Sequence, residues 1–203
     1  MFTGLIQEVV SVIEGAPSLK VTRPKTFLDL KAGESIAFDG VCLTLTEFCE
    51  SSMDFFVGQE TLSKTTFGSL TSGAFMNAER SLSFGDRLGG HLVSGHVDGV
   101  GEVVEAIPKD NCLGLEVKLA PEICAYPKGS IAINGVSLTV NRVDLKKNQI
   151  SVFLIPETLQ RTNLKTLKKG DKVNIEYDQI AKIISTQVKL QLSNREQINE
   201  YNP

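Results

Sequence analysis

The sequence has almost no excess of charge, only two histidines and no long apolar run. Its 203 residues include 21 Lys and Arg against 24 Asp and Glu, a formal net charge of -3. With this charge balance we expect no strongly basic surface of the kind that attracts nucleic acid or anionic membranes. The expected ligand is therefore a small molecule or another protein. The N-terminus has neither a basic start nor a long apolar stretch, which predicts no signal peptide and no transmembrane helix. We therefore expect the protein to stay in the cytoplasm.

Cysteine is too sparse to form a scaffold. Four cysteines are present, and no pair has the two-residue separation of a zinc or redox motif. A chain of this size does not need disulfides, so free thiols in a reducing compartment are expected. The histidines, His91 and His96, are five positions apart, and no cysteine or carboxylate pattern completes a metal site. We predict that no metal is bound.

The sequence does contain an internal repeat within an ordinary globular composition. Hydrophobic residues make up 41% and charged residues 22%, values that exclude a disordered or low-complexity chain. Residues 35–46 align without gaps on residues 130–141, with seven of twelve positions identical. Two further blocks recur in the same order, at residues 60–65 and 157–162, and at residues 2–6 and 93–97.

The repeat divides the chain into two homologous modules and a tail. We predict an N-terminal barrel over residues 1–89, a C-terminal barrel over residues 90–179, and an oligomerisation helix and tail over residues 180–203. About six short β-rich runs per module predict a small closed barrel, since closure removes exposed strand edges. The Glu-Thr-Leu segment of each module is expected to form a short helical cap at the barrel mouth.

Each module also carries a strong hairpin signal. Asp39-Gly40 in the first module and Asn134-Gly135 in the second lie between β-rich runs. Such pairs are typical of tight hairpin turns, because both central positions need positive φ.

The tail follows a helical rather than a β pattern. From Gln179 onward, large aliphatic residues recur at spacings of three and four, which is typical of an amphipathic helix. It has no counterpart after the first module. The helix is therefore either a cap on the second barrel or an oligomerisation element, and a trimer is one closed arrangement it allows.

Polar positions that differ between the modules point to chemistry. Cys42 in the first module corresponds to Ser137 in the second, and Leu5 corresponds to His96. A duplicated site that keeps its scaffold but changes its polar groups can bind one ligand twice and use the two copies differently; neutral drift is the alternative. Histidine exchanges protons near neutral pH, so His91 and His96 are candidate catalytic residues, with a structural role as the alternative. Hydroxyls kept in both modules suit a polar heterocycle or polyol: Thr44 and Thr139, Thr61 and Thr158, and Thr65 and Thr162.

Five motifs occur in a fixed order along the chain: Met1-Phe-Thr-Gly4, Asp39-Gly-Val-Cys-Leu-Thr44, Gly89-Gly-His-Leu-Val-Ser-Gly-His96, Asn134-Gly-Val-Ser-Leu-Thr139 and Ile155-Pro-Glu-Thr-Leu159. In these motifs the chain closely resembles the lumazine-dismutating riboflavin synthase family. The resemblance implies an all-β fold of two tandem homologous six-stranded Greek-key barrels with a C-terminal α-helix, through which the family forms homotrimers. Each barrel of that family binds one 6,7-dimethyl-8-ribityllumazine, and the active site lies between the first barrel of one subunit and the second barrel of its neighbour.

The implied reaction is a dismutation that needs no metal or organic cofactor. One lumazine donates a four-carbon unit to the other, giving riboflavin and 5-amino-6-ribitylaminouracil, the last step of riboflavin biosynthesis. The resemblance implies a first pocket of Gly4, Leu5, Ile6, Cys42, Leu43, Thr44, Phe56, Val57, Gly58, Gln59, Glu60 and Thr61. It implies a second pocket of Gly95, His96, Val97, Lys128, Ser137, Leu138, Thr139, Phe153, Leu154, Ile155, Pro156, Glu157 and Thr158.

Substitution is expected to be most damaging at Phe2, Ser35, Cys42, His91, His96, Ser137, Thr139 and Asp178. In this interpretation Cys42 is a candidate nucleophile or proton donor. His96, Ser137 and Thr139 relay protons in the second pocket. Phe2 shields or stacks on a ring, with a place in the barrel core as the alternative.

A departure from the family pattern and an alternative function remain. Asp39 stands where the second module has asparagine, and this extra carboxylate is expected to be solvated. The alternative function is that of the lumazine-binding or flavin-binding antenna proteins of luminous bacteria, which resemble this family but bind a chromophore without turnover. The combination of Cys42, His91 and His96 favours the enzyme. The sequence leaves open which barrel holds the donor and whether lumazine synthase associates with the protein.

Overall fold

The first barrel forms where β-branched and aromatic residues alternate with polar ones. The computed structural model describes residues 1–120 and 124–200, so residues 201–203 of the predicted tail lie outside the described residues. Six strands, paired antiparallel in the ring order β1–β2–β5–β4–β3–β6, close because β6 pairs with β1. The strands are β1 (Glu8–Glu14), β2 (Ser18–Thr22), β3 (Ser35–Phe38), β4 (Val41–Phe48), β5 (Ser52–Phe56) and β6 (Phe75–Arg80).

The second barrel repeats this topology strand for strand. Its ring order is β7–β8–β11–β10–β9–β12, which confirms two closed six-stranded barrels in an all-β fold. A β-bulge between Val12 and Glu14 in β1 recurs between Val103 and Glu105 in β7, where the extra twist helps the sheet to close. The strands are β7 (Gly99–Lys109), β8 (Cys112–Lys118), β9 (Ser130–Ile133), β10 (Val136–Asp144), β11 (Gln149–Leu154) and β12 (Lys172–Tyr177).

Both predicted hairpin turns are present. Asp39 and Gly40 join β3 to β4 with φ of 42° and 80°, and Asn134 and Gly135 join β9 to β10 with φ of 45° and 76°. All four values are positive, as the tight turn requires.

The predicted helical caps are also present. They are α1 (Gln59–Lys64) and α2 (Pro156–Arg161), each followed by a 3₁₀ turn. The side chains of Thr65 and Thr162 accept hydrogen bonds from Phe67 N and Leu164 N, which caps these turns. The conserved threonines of the repeat therefore have a local structural role.

Each barrel has its own apolar core, and a small third cluster joins them. In the first core the rings of Phe38 and Phe55 pack edge to face with centroids 4.8 Å apart. The third cluster, which we call the seam, consists of two pairs of repeat-related residues together with Cys42 at its edge: Phe2 with Val93, and Ala37 with Ala132.

The hairpin turns of the two barrels pack against each other at Gly40 and Gly135. Asp39 is therefore buried, whereas the sequence predicted a solvated side chain. The side chain is 7% exposed because its turn packs against the other barrel. Its Oδ1 accepts hydrogen bonds from Asn77 N and from Asn163 Nδ2, both at 2.9 Å. Burial raises the pKa of Asp39 to about 7, against the lowering effect of these two bonds. The expectation of a solvated carboxylate was therefore wrong.

The C-terminal helix α3 (Gln179–Glu200) follows β12 directly. Asp178 Oδ1 accepts from Ala181 N at 3.0 Å, which caps the helix, and Lys182 Nζ pairs with Asp98 at 2.9 Å. Among the described helices, none is long and apolar enough to cross a membrane. The predicted amphipathic face is exposed at Ile180, Ile183, Ile184, Val188 and Leu192.

Candidate active site

The segments that precede the two barrels, residues 2–6 and residues 93–97, each cross to the other barrel, and we call them the crossing segments. Phe2 N donates to Val93 O at 2.7 Å, and Val93 N donates to Phe2 O at 3.1 Å, which forms a two-residue antiparallel bridge. Ile6 packs in the core of the second barrel, whereas Val97 packs against the core of the first. The two crossing segments therefore exchange places at the seam.

One crossing segment completes a pocket on the first barrel. Cys42 N donates to Gly95 O at 2.9 Å, and a Cβ at Gly95, where φ is +80°, would lie 2.6 Å from Cys42 Cβ. Only glycine fits this approach. The resulting cavity of about 270 Å³ is lined by Val41, Cys42, Glu60, Thr61, Lys64, Thr65, Gly95, His96 and Val97.

The other crossing segment lies against the second barrel in the same way. Ser137 N donates to Gly4 O at 2.8 Å, and a Cβ at Gly4, where φ is +75°, would lie 2.6 Å from Ser137 Cβ. The sequence had grouped residues 4–6 with Cys42 and residues 95–97 with Ser137. The structure exchanges these groups, because the segments cross before their barrels begin.

His91 is the immediate neighbour of Ser137. Its Nδ1 lies 2.7 Å from Ser137 Oγ, and its backbone N donates to Thr3 O at 3.1 Å. His91 is 8% exposed, and burial lowers its pKa below 6.5, against the raising effects of Asp178 and Glu176. A neutral imidazole beside a hydroxyl can exchange a proton with it. Its Nε2 is buried and has no hydrogen-bond partner among the described residues.

The remaining predicted site residues fall into three groups. Phe2 is fully buried in the seam, behind Gly95, and does not line the cavity. Four side chains point into the barrel cores and leave only their backbone for a ligand: Leu43, Val57, Leu138 and Leu154. The rest are exposed or partly exposed: Leu5, Ser35, Thr44, Phe56, Gly58, Gln59, Lys128, Thr139, Phe153, Ile155, Pro156, Glu157, Thr158 and Asp178.

Two buried carboxylates beside the crossing segments were missed. Glu79 is 4% exposed and Glu176 is 2% exposed, and each binds the segment that precedes its own barrel. Burial raises the pKa of Glu79, while hydrogen bonds from Thr3 and Gly4 lower it. The sequence did offer a signal, because Asn77-Ala-Glu79 and Asn174-Ile-Glu176 match across the repeat.

Comparison with known proteins shows the family to which the chain belongs. The family model described as "Lumazine binding domain" matches residues 3–81 and 94–178. Riboflavin synthase of Chlamydia pneumoniae is 42% identical over 189 residues, 90% of this chain and 92% of that protein. Riboflavin synthase of Actinobacillus pleuropneumoniae is 39% identical over 191 residues, 91% of this chain and 88% of that protein.

Solved structures agree with the sequence relatives. A crystal structure of LumP complexed with 6,7-dimethyl-8-(1'-D-ribityl) lumazine superposes with a TM-score of 0.76 at 26% identity, covering 87% of this chain and 98% of that one. LumP complexed with riboflavin gives a TM-score of 0.79 at 26% identity, covering 87% and 99%. Because the domain match covers both barrels and the sequence relatives span nearly the whole chain, the chain belongs to the riboflavin synthase family of enzymes.

Proposed function

We propose that the protein catalyses the dismutation of two 6,7-dimethyl-8-ribityllumazine molecules. A four-carbon unit passes from one lumazine to the other, giving riboflavin and 5-amino-6-ribitylaminouracil. The two substrates together hold every atom of the two products, so no external oxidant or reductant is required. The observation that carries this proposal is the pair of repeat-related sites with different polar groups, Cys42 with His96 on one barrel and Ser137 with His91 on the other.

The chemistry requires proton transfer and orientation more than charge. A methyl proton leaves one lumazine, and a nucleophile adds to a ring carbon of the other. The electron-poor ring stabilises the resulting anion, so the protein mainly orients two identical substrates and relays protons. We assign Cys42 and His96 to one pocket as nucleophile or proton donor and relay. In the other pocket, Ser137 relays protons with His91 behind it and Thr139 nearby on β10.

We further propose that the active protein is a cytoplasmic homotrimer. The exposed apolar residues of α3 support association through this helix, because such a stripe gains free energy when it leaves water. The active site then lies between the first barrel of one subunit and the second barrel of its neighbour. Lumazine synthase, which by its name makes the substrate, is the protein partner to test.

A second candidate function is chromophore binding without turnover. The LumP structures favour it, because they share the fold and were solved with lumazine or flavin ligands. An antenna protein should purify with stoichiometric fluorescent ligand, whereas an enzyme should purify mostly without one. The presence of Cys42, His91 and His96 together favours the enzyme.

Incubation of the purified protein with 6,7-dimethyl-8-ribityllumazine alone tests the proposal. The loss of lumazine absorbance and the appearance of riboflavin are followed together. We expect one riboflavin for every two lumazines consumed, since the second substrate becomes the pyrimidine product. Tight binding without turnover would instead establish the antenna function, and no binding would contradict both.

A further inference from the structure

A single buried carboxylate organises the segment that carries His96. Glu176, in β12 of the second barrel, accepts hydrogen bonds at Oε1 from Ser94 N and Ser94 Oγ, both at 2.7 Å. Its Oε2 accepts from Gly95 N at 3.0 Å. Ser94 Oγ in turn accepts from His96 N at 3.2 Å. Three consecutive residues are therefore fixed, directly or through one hydroxyl, by one side chain.

The segment that Glu176 binds forms part of the first barrel's pocket, although Glu176 itself belongs to the second barrel. Gly95 and His96 line the pocket of the first barrel, and Gly95 O accepts the backbone hydrogen bond from Cys42 N. A displacement of Gly95 by a few tenths of an ångström would change the wall facing Cys42, because the two residues already pack as closely as glycine allows. The shape of the first pocket therefore depends on a side chain of the second barrel.

The same arrangement recurs in the opposite direction. Glu79, in β6 of the first barrel, accepts at Oε1 from Thr3 N and Thr3 Oγ, both at 2.7 Å, and at Oε2 from Gly4 N at 3.0 Å. Thr3 Oγ accepts from Leu5 N at 3.1 Å, and Gly4 O accepts from Ser137 N. Glu79 and Glu176 therefore make the same set of hydrogen bonds to their crossing segments, so both modules have kept this arrangement.

We propose that Glu176 and Glu79 are positioning residues that act across the seam, each fixing the wall of the ligand pocket in the opposite barrel. A carboxylate suits this role because both of its oxygens face donors only. A glutamine in place of Glu176 turns an NH₂ group toward the N–H of Gly95 or Ser94, which loses an acceptor and opposes two donors. The inference rests on the proposed function, since it takes lumazine as the occupant of the pocket.

Alkylation of the cysteines measures occupancy of the first pocket alone. The full-length protein is treated with iodoacetamide at increasing concentrations of 6,7-dimethyl-8-ribityllumazine, and labelling is read peptide by peptide by mass spectrometry. Cys42 lines the pocket, and the exposed Cys49 on the β4–β5 turn is an internal reference. In Glu176→Gln we expect half-protection of Cys42 to need at least tenfold more lumazine than in the wild type. In Glu79→Gln we expect it to change less than twofold.

Glu79→Gln is the matched control because it removes an equally buried carboxylate with the three corresponding donors. Glu176 accepts one further hydrogen bond, from Gln179 Nε2 at 3.2 Å. Its turnover should fall while Cys42 protection is kept, since its segment lies on Ser137. Equal shifts in both variants, or no shift in Glu176→Gln, would overturn the inference. If lumazine fails to protect wild-type Cys42, the proposed function is wrong at this pocket and the inference falls with it, a result separate from the variant comparison.

A second pair of variants decides the matter if Glu176→Gln does not fold. Ser94→Ala removes the hydroxyl that links Glu176 to His96 N, whereas Ser94→Thr keeps it, as Thr3 does in the other segment. We expect Ser94→Ala to raise the half-protecting lumazine concentration about threefold to tenfold and Ser94→Thr to restore it. Wild-type protection in Ser94→Ala would count against the role of Glu176.

Discussion

At the scale of single residues, Cys42 and its repeat counterpart Ser137 have different histidine neighbours. Cys42 shares its pocket with His96, which is exposed, whereas Ser137 has a buried neutral neighbour in His91. Burial lowers the pKa of His91 and so favours its neutral form, whereas His96 is open to solvent, so the two sites present different surroundings to a ligand. The same scaffold thus offers two distinct chemical environments to one ligand.

Removing either polar group of the first pocket should slow turnover without unfolding the protein. We expect Cys42→Ala and His96→Ala each to lower kcat at least tenfold, because positioned proton donors and acceptors contribute about 10²–10⁴-fold to rate. Steady-state riboflavin formation measures the rate, and thermal unfolding checks the fold. Cys49→Ala, on an exposed turn outside the pocket, should keep the wild-type rate. A wild-type rate in Cys42→Ala or His96→Ala would remove that residue from the mechanism.

The buried carboxyl of Asp39 should make stability depend on pH. Its pKa of about 7 lies above the ordinary 3.8, so the folded state holds a proton that the unfolded state has released between these pH values. Stability should therefore fall as pH rises through this window. Asp39→Asn has no proton to lose, so its stability relative to that of the wild type should be higher at pH 8 than at pH 4, by about 4 kcal/mol.

Urea unfolding at several pH values measures this difference. Asp110→Asn is the matched control, because Asp110 also lies in a hairpin turn with positive φ but is exposed. Its effect on stability should be the same at each pH. A pH-independent difference for Asp39→Asn would show that the carboxyl is already ionised in the folded protein.

At the scale of elements, the hairpins were predictable but their burial was not. The pairs Asp39-Gly40 and Asn134-Gly135 specify their turns through local backbone preference alone. Nothing local states that the two turns pack against each other, because that contact joins residues of different barrels. The burial of Asn77 and Glu79 in β6 was unpredictable for the same reason, because their side chains bind residues outside their own strand.

Because the two hairpin turns are in close contact, adding one methyl group at Gly135 should destabilise the protein strongly. A Cβ at Gly135 would lie 2.6 Å from Gly40 N, a backbone atom that cannot move aside. We expect Gly135→Ala to lower the free energy of unfolding by about 2–4 kcal/mol. Gly170→Ala adds a side chain at a similarly positive φ with nothing within 4 Å, so only the backbone strain of about 1 kcal/mol remains. Equal losses in urea unfolding would mean that the turns do not press on each other.

At the scale of the whole molecule, the sequence predicted two barrels but not how they share their sites. Each module was expected to complete its own pocket, because residues close in sequence were taken as close in space. The bridge between Phe2 and Val93 reverses that assignment. Such a pairing depends on how the barrels pack, which no local pattern encodes.

Removal of α3 tests the proposed trimer. The helix exposes an apolar stripe, and its contacts with its own barrel include the Lys182–Asp98 ion pair and the hydrogen bonds that Gln179 Nε2 donates to Ser94 and Glu176. Deleting residues 180–203, which keeps Gln179 and its hydrogen bonds to Ser94 and Glu176, should therefore give monomers in sedimentation velocity, with riboflavin formation lowered at least tenfold if the site spans subunits. Circular dichroism should still report folded barrels, whose cores do not include the helix. A fully active monomer would contradict the shared site.

The crossing of the two segments also bears on how such a protein could arise. A lone ancestral barrel with this segment could complete its pocket only by borrowing the segment of a twin, so both pockets of that pair had to be identical. Joining the twins into one polypeptide removed this constraint, since each copy of a position then mutates independently. Within one polypeptide, Cys42 can therefore stand opposite Ser137 and Leu5 opposite His96, a difference that a pair of identical barrels cannot have.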